Sequence, residues 1–174
     1  NTATGTDTEG YSVNTEPTIT SVEDAVVSEE GLLGIGIKDD TGYPDDSSDT
    51  TDSATFTGSF TAIDVDGDVL SATIDTSSLP TISSGGYELQ SSDYALSADG
   101  KTLTGSANGN DIIKIELTDP NQQGEGGYLV TLLGPVDHPI NDDGTGKGAE
   151  DTLSFDIGIL VSDGITTTGG TINI

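Results

Sequence analysis

Cysteine, arginine, tryptophan and methionine are all missing from these 174 residues, and there is a single histidine, His138. Without cysteine there can be no disulfides, the usual source of rigidity in a small extracellular domain, so rigidity must come from elsewhere. With no arginine and four lysines against 31 acidic residues, the net charge is −27. That balance excludes nucleic acid, whose phosphates call for Lys and Arg, and argues against an anionic membrane surface. One histidine and no cysteine leave no ligand set for zinc. Asp137-His138-Pro139 lets Asp137 orient the imidazole, but no G-x-S-x-G nucleophile accompanies it, so His138 reads as structural. Paired carboxylates can cleave glycosides. Acids this abundant pair by chance, however, and eight aromatics (Tyr 5, Phe 3) make few sugar platforms, so the chain reads as a non-enzyme. No apolar run is long enough to span a membrane, and no signal peptide is seen. The abrupt ends read as those of a module excised from a longer protein, with any secretion signal elsewhere.

What is present is alternation. In Thr55 to Asp75, Phe56, Gly58, Phe60 and Ala62 share one parity and Thr55, Thr57, Ser59 and Thr61 the other, the period of a half-buried strand. Leu70, Ala72 and Ile74 repeat it. The intervening Asp64-Val65-Asp66-Gly67-Asp68 predicts a hairpin turning on Asp66-Gly67. Three carboxylates within five residues repel one another, which makes sense if a hard cation sits there, since Ca²⁺ takes six to eight oxygens. The alternative is a solvated acidic turn. It is not the helix-loop-helix calcium loop, because Val69 and Asp75 stand where that pattern wants Gly and Glu. Bound divalent cations, or a high-salt habitat, would also relieve the self-repulsion of so large a charge.

Residues 1–16 are acid-, Thr- and Gly-rich and predict a linker or loose edge; residues 17–174 predict one domain. Pro17 to Val27 predicts a strand pair with Ile19, Val22, Val26 and Val27 in the core, followed by a turn at Ser28 to Gly31. Short strands are expected at Tyr87–Gln90 and Tyr94–Ala98, and hairpin turns at Asp99-Gly100 and Asn108-Gly109. Ile113, Ile115 and Leu117 define the next strand, and Gln122 to Gly127 a flexible tip. Tyr128, Val130 and Leu132 define another strand. Leu153, Phe155, Ile157, Ile159 and Val161 define a central one. Eight to ten strands, no helix and frequent Gly/Asp turns predict an all-β fold, an antiparallel β-sandwich of Ig-like or cadherin-like kind with long acidic loops. A calcium-binding solenoid needs repeated G-G-x-G-x-D nonapeptides, and only fragments occur.

The ordered set TGSFTAIDVDGDVLSATI (57–74), YLVTLLGPVDHP (128–139) and DTLSFDIGILVSDG (151–164) resembles a recurrent β-sandwich module of giant type I-secreted RTX adhesins of Gram-negative bacteria. The likeness covers Pro17 to Ile174. It implies an extracellular, calcium-dependent domain in a tandem array on the cell surface, active in adhesion and biofilm. Some members near the distal tip bind ligands, one type capturing the C-terminal end of host surface proteins through calcium.

Two acidic loops, longer than a plain spacer needs, favour the ligand-binding type. In 141–151, Asn141, Asp142, Asp143, Glu150 and Asp151 can hold a cation, while Gly144, Gly146 and Gly148 can offer backbone N–H groups and Lys147 a charge to an anion. That set can grip a peptide C-terminal carboxylate with calcium as the bridge. In 39–52, Asp49 and Asp52 precede the Thr55 strand closely enough to reach a calcium, and Tyr43 gives an apolar anchor. Both loops have solvated acidic loops as their alternative. Three functions are therefore open: a ligand-binding adhesin domain holding several Ca²⁺, a calcium-stiffened stalk spacer between flanking adhesin domains, and a carbohydrate-binding module. Their partners would be host or neighbouring-cell surface peptides and protein C-termini, adjacent domains of the array, or glycans.

Overall fold

A computed structural model describes residues 13–33, 51–138 and 152–174. Within them the chain is an all-β sandwich. Its strands in chain order are β1 (Thr18–Val22), β2 (Thr55–Ile63), β3 (Ser71–Asp75), β4 (Ser83–Ser84), β5 (Tyr87–Glu88), β6 (Tyr94–Leu96), β7 (Thr102–Ala107), β8 (Asn110–Thr118), β9 (Glu125–Leu132), β10 (Asp156–Ser162) and β11 (Thr167–Asn173). The only helical pieces among the described residues are 3₁₀ turns at Glu29–Gly31 and Ser91–Asp93.

One sheet runs β1-β2-β9-β8-β7-β6 and the other β11-β10-β3, with β4-β5 a separate hairpin. All their pairings are antiparallel. With β4 to β7 set aside as an insertion, the order is that of the seven-stranded immunoglobulin sandwich, four strands facing three. The predicted class is therefore the class found. Alternation does the sorting. Phe60, Ala62, Ile113, Ile115, Leu117, Tyr128 and Val130 of the larger sheet are buried against Ala72, Ile74, Ile157, Ile159, Val161 and Ile172 of the smaller one. The expected central strand is central, since β10 pairs with both β11 and β3. Asn108 and Gly109 both take positive φ, as a two-residue hairpin turn between β7 and β8 demands.

Two local expectations are corrected. Asp64 to Asp68 does not turn a hairpin. β2 and β3 belong to different sheets, so the segment crosses from one layer to the other. An Asp-Gly turn signals a change of direction but not which sheet the next strand joins. The region from Pro17 to Val27 holds one strand rather than two. Pro17 and Ala25 are buried, Ile19, Val22 and Val27 are half-buried, and Val26 is exposed. After β1 the chain leaves β2 and crosses towards the smaller sheet, where the Ala25 N–H donates to the Asn173 carbonyl (2.8 Å). That shift puts the small Ala25, not Val26, between the layers.

The crossing sorts the loops into two poles. The segments 13–17, 64–70, 119–124 and 163–166 share one end. Glu29–Gly31, residues 51–54 and residues 133–138 share the other, where Ser28 N–H meets the Ser53 carbonyl and the Glu29 carboxylate accepts the Val136 N–H.

Candidate functional site

The first pole is built from the end of β2. Asp64 follows its last residue, and its Oδ1 accepts the N–H groups of Asp66 (2.8 Å), Gly67 (3.0 Å) and Asp68 (3.4 Å). One oxygen thus closes the crossing loop, and Gly67 supplies the φ of 80° that the turn requires. The other oxygen, Oδ2, is buried and has no hydrogen-bond partner. Asp64, Gly67 and Asp68 line an open cleft of about 590 Å³ together with residues 120–124 of the β8–β9 turn. That turn is ordered rather than a flexible tip. Asn121 Oδ1 accepts the N–H groups of Gln123 (2.9 Å) and Glu125 (3.0 Å), and the Gly124 carbonyl accepts the Ala62 N–H (2.8 Å).

The neighbouring carboxylates are engaged in holding loops together. Asp66 Oδ2 accepts the Thr15 N–H (2.6 Å). Asp163 Oδ1 accepts the N–H groups of Ile165 (2.7 Å) and Thr166 (2.6 Å), while its Oδ2 accepts from Asn14 Nδ2 (2.9 Å) and the Thr166 hydroxyl (2.8 Å). The Thr166 N–H first, then Asn14, hold its carboxyl well below the usual carboxylate range. Asp119 Oδ1 caps the Ala72 N–H on the open edge of β3 (2.9 Å), and Lys101 pairs with its Oδ2. Partial burial raises the Asp119 carboxyl, but the bonds from Lys101 and Ala72 outweigh it and the net direction is down. Asn14, Asp119 and Asp163 were missed in the sequence. The one signal for Asp119 and Asp163 is that each directly follows a strand.

The predicted metal residues are distributed unevenly. Asp64, Asp66 and Asp68 share the crossing loop, yet no group of three or more His, Cys, Asp or Glu among the described residues is arranged to hold a metal ion. Of the three, Asp64 turns one oxygen inward, and Asp66 is drawn to Thr15. Asp52 is exposed before the other end of β2, a nine-residue strand, about 26 Å away at ~3.3 Å per residue, so it belongs to a different place. Tyr43, Asp49, Asn141, Asp142, Asp143, Gly144, Gly146, Lys147, Glu150 and Asp151 lie outside the described residues.

At the second pole, residues 134–138 (GPVDH) pack against the β4–β5 hairpin. The Ser84 hydroxyl donates to the Pro135 carbonyl (2.6 Å), and the Asp137 carboxylate accepts the N–H groups of Gly85 (2.9 Å) and Gly86 (2.7 Å). Asp137 therefore does not orient His138. Glu29 faces that imidazole instead, with Nε2 to Oε2 at 3.8 Å.

No protein-family model, curated protein or solved structure was found that matches this chain.

Proposed function

We propose that this sandwich is a calcium-dependent, non-enzymatic adhesion module, exported to the outside of a bacterial cell. The observation that carries the reading is Asp64 Oδ2. A buried carboxylate oxygen without a donor is costly, and the neighbouring groups hold no proton for it. A hard cation is the partner that fits. Asp64 would supply one ligand, and Asp68 and residues 120–124 line the same cleft with further oxygens. The ion would neutralise part of a net charge of −27 and fasten the crossing loop to the β8–β9 turn. Thermal unfolding tests this. Millimolar calcium should raise the melting temperature by many degrees over a chelator at the same ionic strength, because a ligand of the native state stabilises by mass action. Identical melting curves would sink it.

Within that reading, we assign the acidic, glycine-rich stretch 141–151 to ligand capture, on its composition. Asp142 and Asp143 would hold an ion whose remaining positions accept a peptide C-terminal carboxylate. In so negative a protein, a cation is the simplest way to attract an anion. Calorimetry with free-acid and C-terminally amidated peptides separates the outcomes. Binding of the free acid alone, in calcium alone, supports capture. Equal binding of both refutes it, and no binding favours the stalk-spacer reading.

A further inference from the structure

The pole that carries Asp64 also carries an unusual amount of exposed apolar surface. Of the nine large hydrophobic side chains exposed among the described residues, five sit at this pole, four on its loops and Ile63 at the end of β2: Val13 (81%), Ile63 (49%), Val65 (75%), Val69 (90%) and Ile165 (74%). Single exposed hydrophobics are ordinary, but their gathering on one end is what marks an interaction surface. These loops are fastened to one another. Asn14 reaches Asp163, Thr15 reaches Asp66, and Asp64 fixes the backbone between Val65 and Val69. The apolar tips are thus presented by a preorganised frame, which lowers the ordering cost of binding.

The charge around them decides the occupant. Glu16, Asp64, Asp66, Asp68, Asp119 and Asp163 surround the tips, and the one described cation at this pole, Lys101, is held by Asp119. A second copy is a poor fit, because the opposite pole is also acidic, with Glu29, Asp52, Asp137 and Asp156. Like charges across an interface are repulsive, whereas complementary ones steer and select a partner. We propose that this pole docks a cationic amphipathic polypeptide, whose apolar side chains cover Val65, Val69 and Ile165 and whose Lys or Arg groups reach Asp66 and Asp68. The docking surface proposed here is made of other residues than 141–151, and its occupancy does not require a bound cation.

The test uses fluorescein-labelled twelve-residue peptides and the whole chain, in calcium and in chelator, followed by anisotropy. One peptide alternates Leu with Lys, a second Ser with Lys, and a third Leu with Glu. The Leu/Lys peptide should bind at least tenfold more tightly than Ser/Lys, and Leu/Glu should not bind. The variant V65S/V69S/I165S keeps every charge and should erase the preference for Leu/Lys over Ser/Lys. Val69→Ser alone, at a side chain that is 90% exposed and so not needed for folding, should weaken Leu/Lys binding at least threefold. Equal affinities for Leu/Lys and Ser/Lys would reduce the effect to charge alone and overturn the proposal. Self-association in sedimentation that V65S/V69S/I165S abolishes would also overturn it, making the occupant a second copy.

Discussion

Tyr128 lies flat over Gly58, its directly paired neighbour across β2 and β9, and two residues further along the ring of Phe60 covers Gly126 in the reverse sense. A side chain at either glycine would occupy the space of the opposite ring. Tyr128 stacks on Phe56 as well, with ring centroids 6.2 Å apart, and its hydroxyl donates to the Glu23 carbonyl (2.6 Å). Partial burial, with the nearby Glu23 and Asp24 charges, pushes that phenol up to about 12, so it stays a donor throughout the neutral range.

Gly58→Ala should therefore destabilise by about 1–3 kcal/mol, the scale of an overpacked core. Tyr128→Phe should cost about 1 kcal/mol, the scale of one hydrogen bond, by leaving the Glu23 carbonyl short of its donor. Urea unfolding measures both. Gly58→Ala combined with Tyr128→Ala should be less damaging than the sum, because without the ring the added methyl has room.

Asp64→Asn should reverse its effect with conditions. The amide keeps the oxygen that accepts the Asp66, Gly67 and Asp68 N–H groups, and it replaces the partnerless carboxylate oxygen with an NH₂ group. In chelator the variant should melt at or above the wild-type temperature, since a buried charge is gone. In calcium the wild type should melt higher, and the variant should gain little from the ion. Asp64→Ala loses the three backbone bonds too and should be less stable in both buffers.

Acid should act through Asp163. Its folded carboxyl lies below the ordinary 3.8, as do those of Asp75, Asp99 and Asp119, for which Ser77, Ser97 and Lys101 respectively are the main hydrogen-bond donors. A depressed folded value means stability that is fully present above the unfolded value and is lost as pH falls through the folded one. Below pH 3.8 stability should fall. Asp163→Asn should be less stable than wild type at pH 7, and that gap should narrow as the pH drops below 3.8.

Asp119→Ala should cost about 1–3 kcal/mol by stripping the Ala72 N–H of its acceptor and Lys101 of its partner. It also opens an edge of β3, whose other guard is the Gly100 carbonyl on the Ile74 N–H (2.8 Å). Light scattering on heating should show earlier association than in wild type, as an unguarded strand edge predicts.

Much of this architecture was legible because a strand writes its burial into every second residue. Phe60 and Ala62, Ile113 and Ile115, and Ile157 through Val161 declared their inward face before any pairing was known. Turns were legible where backbone chemistry forces them, as at Asn108-Gly109. Connectivity across space was not. Nothing in DVDGD distinguishes a hairpin from a crossing between sheets, because both need the same reversal and the same glycine. The site suffered for a related reason. Three aspartates look alike in sequence, and only the path of the loop decides that Asp64 turns an oxygen inward while Asp66 meets Thr15. Ala25 outranked Val26 for the core because the bond to Asn173 sets the orientation of that stretch, which hydrophobicity alone does not reveal.

The step of the chain from β1 to the smaller sheet has a mechanical consequence. Ile19 packs over Gly170, and Ala25 bonds Asn173, so this stretch runs parallel to β11. Tension applied between Pro17 and Ile174 would pull the two in opposite directions along their length. Their contacts would then be loaded together, in shear, rather than peeled one after another from an end. A sandwich pulled at these two points would yield abruptly at a high force.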